Sequence, residues 1–418
     1  MKQELLEKEI LSSLLFGEQN IPNALQIVSV DDFVKYRAHA EIIFSGWKEG
    51  KNLVTEFALK GVRISEIQDD SYSIRPIEKA CRELKQLSIR TALTRIFGEA
   101  HKSVPESNID TFVGEIQQRL IRAIETGRVE DSSIDKVIEE FVEYQNVFEE
   151  KKKTGNKLLG LSTGYDKLDE VIDGLRPEHL WIIGGYTNLG KTYASLNILT
   201  HLLKQGKRTV FYSLEMSRVD IISRILGIIT GINGSSIAKG FADKDTVTKS
   251  LELIRESNLG IHNTKTELSQ ILLSMYEESI KNKPELFVVD FLQLVTVKGT
   301  KSEYEAVTQA ILELQQAAKR FKIPIIVLSQ VSNDGARAGD QQVMGFKGSG
   351  AIASAADLAI ELVSGEDSIK ELREKMNNGE PVLIKWHVKK NRHGRVGSMT
   401  MEFTGRTGIF TEFKEQEL

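Results

Sequence analysis

Residues 184–198 read GGYTNLGKTYASLNI. Within this stretch Gly185-x-x-x-x-Gly190-Lys191-Thr192 spaces two glycines across a loop and follows the second with a lysine and a hydroxyl. The apolar run LWIIG (180–184) precedes the loop and a helix-forming run follows it. Strand, loop and helix in that order are the context a P-loop requires, and they commit this part of the chain to an α/β fold. The glycines let backbone N–H groups converge on phosphate oxygens at a helix N-terminus. Lys191 would neutralise the β- and γ-phosphates and the Thr192 hydroxyl would ligate Mg²⁺. Gly185, Asn188, Gly190, Lys191 and Thr192 are therefore the expected nucleotide-binding residues, with ATP and Mg²⁺ as the expected ligands.

The surrounding sequence supplies the rest of such a site. From Leu158 onward, short apolar runs alternate with helical segments: LWIIG, TVFYSLE (209–215), LFVVD (286–290) and IPIIVLS (323–329). Continuous apolar strands separated by helices predict a mainly parallel sheet covered on both faces. Ligands of such sheets bind at the carboxyl ends of the strands. Three polar residues fall there: Asp290 closing LFVVD, Glu215 closing VFYSLE, and Gln330 following IIVLS. Asp290 is expected to position Mg²⁺, Glu215 to deprotonate the attacking water, and Gln330 to sense the γ-phosphate. A strand-end polar residue that merely meets solvent is common, but three beside a phosphate loop form a pattern.

Two later segments carry charge that the site does not explain. PVLIKWHVKKNRHGRVGSMTMEFTG reads as an antiparallel hairpin whose basic tip holds Lys390 and Arg392. It is either a solvated turn or a cationic finger offered to the nucleotide site of a neighbouring subunit, where a guanidinium stabilises transferred charge. SNDGARAGDQQVMGFKGSG (332–350) is glycine-rich, polar and longer than a simple connector. It is either a surface loop or one that holds a phosphodiester backbone through Arg337, Lys347 and the N–H groups of Gly348 and Gly350.

Residues 1–128 read as an all-α domain. Leu5, Ile10, Leu11, Leu14 and Leu15 recur at helical spacing. Ile77 to about Lys102 is a long proline-free helix, and Ile109–Ile124 a second that would pair with it antiparallel. Residues 129–156 hold one isolated helix, capped by Ser133, whose stripe is Ile134, Val137, Ile138, Phe141, Val142 and Phe148. It ends at KKKTGNK, and its stripe is expected to cover either its own chain or another subunit. Residues 157–418 form the α/β domain.

Bulk properties narrow the class without choosing within it. The chain has 418 residues, 40% hydrophobic and 27% charged, as soluble globular proteins do. One cysteine, Cys81, excludes a disulfide framework or zinc cluster and suits a reducing cytoplasm. No apolar run approaches the ~20 residues that span a bilayer, so no membrane association is expected. A net charge of −4 argues against a nucleic-acid-coating protein but permits contact through local loops. The histidines show no metal-ligand spacing, and no Ser/His/Asp or Cys/His arrangement is apparent.

Together these segments resemble the DnaB family of replicative DNA helicases, which are RecA-like ring ATPases, and the resemblance covers nearly the whole chain. GLSTGYDKLDEVIDGLRPEHLWIIGG resembles the family's entry into the ATPase domain, FYSLEMS its catalytic-glutamate motif and VVDFLQL its metal-binding strand. PIIVLSQ is similar to its sensor strand, KGSGAI to its DNA-contacting loop, and KKNRHG to its Lys-x-Arg finger, here Lys390 and Arg392. The N-terminal EKEILSSLL…DDFVKYRAHAEIIF resembles its helical collar. The resemblance implies a homohexamer that couples ATP hydrolysis to 5′→3′ translocation on single-stranded DNA. It also implies linker helices docked on adjacent subunits, and a primase and helicase loader as partners. The chain departs from the family at Tyr186-Thr187-Asn188, usually Arg-Pro-Ser, and at Asn333, usually arginine. Lys347-Gly348 replaces Arg-Glu, and AIASAAD (351–357) lacks the family's Glu-Gln-Asp. The rival expectations are a RecA-like motor or autokinase ATPase that does not unwind DNA, and a non-catalytic hexameric scaffold.

Overall fold

The computed structural model describes residues 2–68, 76–103, 112, 116, 119–120, 123, 134–153, 155, 158–330, 349–366 and 368–414. The chain divides into two compact units, Met1–Val147 and Phe148–Leu418.

The first unit is helical. Helices Lys2–Phe16, Ile21–Ile27, Arg37–Lys48, Leu53–Leu59 and Ile77–Ser103 close on a core that includes Ile10, Leu11, Leu14, Phe33, Ile43, Phe57 and Leu84. Of the apolar positions that recur at helical spacing, Ile10, Leu11, Leu14 and Leu15 face this core and Leu5 is exposed. Glu7 is buried because its carboxylate accepts the backbone N–H groups of Val34, Lys35 and Tyr36. A buried carboxylate is tolerated only when such donors replace its water. Most of the predicted Ile109–Ile124 helix lies outside the described residues. Of the residues that are described, Arg119 forms an ion pair with Glu99 of the long helix.

The helix Ile134–Lys153 runs further than its sequence suggested, taking in Lys151–Lys153. Basic residues in a last turn complement the negative end of the helix dipole, so a run that reads as linker can also close a helix. Its predicted cap, Ser133, lies outside the described residues. Ile134, Val137, Ile138, Phe141 and Val142 are 47–68% exposed in the single chain.

The second unit is built on a nine-stranded sheet in the order β3-β2-β4-β5-β1-β6-β7-β8-β9. These are β1 (Leu180–Gly185), β2 (Thr209–Ser213), β3 (Gly260–His262), β4 (Leu286–Asp290), β5 (Ile325–Gln330), β6 (Leu358–Ser364), β7 (Val382–Asn391), β8 (Gly397–Thr404) and β9 (Ile409–Glu412). Strands β1 to β6 pair in parallel, and β7 to β9 continue the sheet antiparallel. The predicted strands β1, β2, β4 and β5 are buried along their length, as a sheet covered on both faces demands. The hairpin β7–β8 alternates instead, with Val382, Ile384, Trp386 and Val388 inward. Strand β6 is an addition to the strands expected from sequence. It sits between β1 and β7 and joins the parallel part to the hairpin.

Register fixes what each sheet edge presents. Gly185 pairs with Gln330, and Ser213 with Asp290, so these residues end their strands side by side. At the other edge Trp181 pairs with Leu358, and Leu358 with Asn391. The end of β7 that carries Lys390 and Arg392 therefore lies at the amino end of β1. The phosphate loop lies at its carboxyl end, about 20 Å away for six extended residues.

Candidate nucleotide site and active centre

The loop between β1 and the helix Lys191–Lys204 owes its shape to three residues. Gly185 has no room for a side chain, since a Cβ there would meet the Leu362 carbonyl oxygen at 2.8 Å. Gly190, the residue before the helix, holds φ +80°, a left-handed conformation that glycine adopts at no steric cost. Asn188 stands at φ +70°. Asparagine is among the few residues that tolerate this region, which accounts physically for its presence in the atypical Tyr186-Thr187-Asn188 segment. The Lys191 ammonium donates to the carbonyls of Gly185 and Tyr186 at 2.8 and 2.9 Å, folding its side chain back over the loop. Burial holds its pKa below the usual lysine value, against the pull of Asp290 and Glu215.

Gly185→Ala is expected to separate β1 from β6 locally, because the atom met first is the Leu362 backbone carbonyl, which cannot swing aside as a side chain would. The expected cost is about 1–3 kcal/mol. A urea titration should show the lower midpoint, and ATP binding should weaken in parallel because Lys191 donates to this residue's carbonyl.

Across the loop, the Thr192 hydroxyl donates to Asp290 Oδ2 at 2.9 Å. Burial pushes the Asp290 carboxyl up to about 6, the Thr192 bond opposes this, and the nearby Glu215 carboxylate adds to it. Such a carboxylate is short of positive charge. A hard hydroxyl and a hard carboxylate side by side fit Mg²⁺, which takes few protein ligands and keeps its other positions for water and phosphate. Among the described residues no cluster of three or more His, Cys, Asp or Glu side chains could hold a metal.

Glu215 lies two residues past the end of β2, on a turn, where the sequence suggested a longer strand. The Ser213 hydroxyl bonds Met216 through both its backbone carbonyl and its N–H, and Leu214 donates to the Asp290 carbonyl at 2.8 Å. These bonds hang the glutamate over the end of β4 with an exposed side chain. Gln330 donates its N–H to Gln293 Oε1, and the Gln293 amide donates to Ser329 Oγ at 2.9 Å. Gln293 therefore ties the turn after β4 to the end of β5. It stands within VVDFLQL, where its residue type alone suggested no role.

Lys191, Thr192, Glu215, Asp290 and Gln330 line one cleft of about 450 Å³, together with Asn188, Gly190, Arg224 and Arg373. Its size suits a nucleotide. Arg224 packs over the Tyr193 ring, 4.7 Å from its centroid. Sequence reasoning missed Arg224, Arg373, Met376 and Phe403 because they arrive from distant elements with no motif around them. Only the shared cleft joins them.

The structure does not bring every candidate here. Lys390 and Arg392 lie at the opposite edge of the sheet, where Arg392 pairs with Asp357 at 2.9 Å. Arg337, Lys347 and Gly348 lie outside the described residues. Gly350 lies in the helix Ser349–Ala355.

A parallel sheet with a phosphate loop after β1, a carboxylate at the end of β4 two strands away and a glutamate beyond β2 defines an ATPase of RecA-like architecture. The DnaB-like helicase C-terminal domain model matches residues 160–413. The chain belongs to the DnaB-like replicative DNA helicases, which are ATP-dependent enzymes. A probable replicative DNA helicase of Trieres chinensis is 24% identical, over 98% of this chain and 94% of its own length. The replicative DNA helicase DnaB of Geobacillus stearothermophilus is 23% identical, over 98% and 94%. A solved DnaB-like replicative helicase has the same fold, with a TM-score of 0.68 at 19% identity over 98% of this chain and 100% of that one.

Proposed function

We propose that the chain works as a homohexameric ring that moves 5′→3′ along single-stranded DNA and unwinds the duplex ahead of it. The observation that carries this is the placement of Lys390 and Arg392 at the sheet edge opposite their own phosphate loop. A finger so placed reaches a nucleotide only on another subunit. ATP is then held by Gly185, Asn188, Gly190 and Lys191, while Thr192 and Asp290 would hold Mg²⁺, which shields the phosphate charge. Glu215 takes the proton of the attacking water, Gln330 registers the γ-phosphate, and Lys390 and Arg392 of the neighbour complete the charge stabilisation.

In this reading residues 1–128 form a collar, 129–156 a linker helix and 157–418 the motor. The exposed stripe of Ile134–Lys153 supports it, since contiguous apolar surface of this kind marks an interaction site. Arg337, Lys347, Gly348 and Gly350 would bind the DNA backbone. The helicase in the solved structure of the same fold interacts with primase, and we extend that partnership, together with a loader, to this chain. No described helix is long and apolar enough to cross a membrane, and a cytoplasmic location accompanies the reading.

The test is unwinding of forked DNA bearing either a 5′ or a 3′ single-stranded tail. ATP-dependent unwinding only from the 5′ tail, lost in Lys191→Ala, is the expected result. DNA-independent hydrolysis without unwinding would favour a motor of another kind. If one cation per subunit meets the DNA, the six together should give a slope of about −4 for log affinity against log salt, read by fluorescence anisotropy.

A further inference from the structure

The finger is not loosely displayed on its hairpin. Arg392 Nη1 donates to Asp357 Oδ1 at 2.9 Å, and its Nη2 donates to the Ser354 carbonyl at 3.2 Å. The Lys390 ammonium donates to the same carbonyl at 3.0 Å. Asp357 is itself fixed. Its Oδ2 accepts the Leu180 N–H at 2.9 Å, its own N–H donates to the Leu180 carbonyl, and its carbonyl accepts the Arg392 N–H. The Asp357 side chain is 4% exposed and that of Arg392 41%. A buried carboxylate thus grips a guanidinium that stands half in solvent.

The donor inventory makes this grip compatible with catalysis. A guanidinium carries five N–H donors in a rigid planar fork. The two bonds use two of them, from the two terminal nitrogens. The plane is thereby oriented while further donors can meet an incoming phosphate. A long flexible side chain otherwise loses rotamer freedom when it binds, and fixing it beforehand removes that cost.

We propose that Asp357 is a positioning residue for the finger, presetting the Arg392 guanidinium in the plane that the neighbouring subunit's γ-phosphate meets. The inference rests on reading Lys390 and Arg392 as that finger. Ser354 extends it. Its carbonyl belongs to the last turn of the helix Ser349–Ala355, whose first turn holds Gly350, so one short helix carries a proposed DNA contact at one end and the finger's second anchor at the other.

The experiment is a double-mutant cycle on the assembled protein with single-stranded DNA present. Asp357→Asn keeps an oxygen for Leu180 but sets an amide against Arg392. It is expected to lower kcat at least tenfold with KM for ATP within twofold, and to cost less than twofold further in an Arg392→Ala background. A loss of equal size in both backgrounds, or a wild-type kcat, overturns the proposal. Wild-type turnover of Arg392→Ala alone would instead sink the finger reading, which separates the two failures. If Asp357→Asn melts early or fails to assemble, Asp357→Glu enters the same cycle. It retains the charge but moves it by one methylene, and a kcat loss confined to the Arg392-containing background is again the expected result, with equal losses overturning the proposal.

Discussion

Two inactive variants are expected to restore each other. Arg392→Ala alone should lose roughly 10³–10⁵ in ATP turnover, the range that a finger arginine supplies to phosphoryl transfer, while ATP binding changes little. Lys191→Ala should lose hydrolysis at the other half of the site. In a ring mixed from both, an Arg392→Ala subunit presents an intact phosphate loop, and a Lys191→Ala neighbour presents an intact finger. Sites at that junction are whole. Steady-state ATPase should therefore rise on mixing and follow the frequency of that junction as the ratio is varied. The expectation rests on the proposed shared site, and the register supports it by setting Arg392 at the amino end of β1 and the loop at its carboxyl end. Absence of any recovery in rings shown by mass to be mixed would mean that Arg392 serves no neighbouring site.

Glu215→Gln should separate holding ATP from using it. The amide keeps the size of the carboxylate and removes its basicity. Positioned proton transfer contributes about 10²–10⁴, so single-turnover hydrolysis should slow by that factor. ATP affinity should be preserved or improved, since Glu215 adds negative charge near Asp290 and the phosphates. The variant should also stay on single-stranded DNA in ATP far longer than wild type, measured as retention against a competitor strand. Turnover within threefold of wild type would assign the base to another group of the cleft.

The parts of the molecule legible in the sequence are those governed by local chemistry. The phosphate loop, the buried parallel strands β1, β2, β4 and β5, and the hairpin follow from residue types over short spans. Asp290 and Gln330 are legible because strand ends in such sheets share one edge. Strand β6 is not. LAIELVS follows the short helix Ser349–Ala355, and it pairs in parallel with β1 on one side and antiparallel with β7 on the other, a placement no local spacing announces. Without β6 the hairpin has no fixed place, so its basic tip reads equally as a solvated turn or a finger. Arg224 and Arg373 are hidden for a related reason, since a cleft wall assembled from separate helices leaves no spacing to detect. Gln293 stands in plain view, but its amide bonds to Ser329 and Gln330 depend on the turn after β4.

Strand β1 has a consequence for the assembly as a whole. Its carboxyl end opens into the phosphate loop, and its amino end, through Leu180 and Asp357, anchors Arg392. In the proposed ring, a subunit of this kind would have an unlike front and back, and the two would mate only front to back. Such contacts repeat by rotation and never by a two-fold, so the same joint closes a flat circle or climbs as a staircase according to the tilt between neighbours. Six residues of one strand separate the two faces. In the proposed ring, the two faces of one subunit would thus be joined by a single short strand. A circle built from such a joint would have a sense of rotation, since every subunit would offer its finger to the same side.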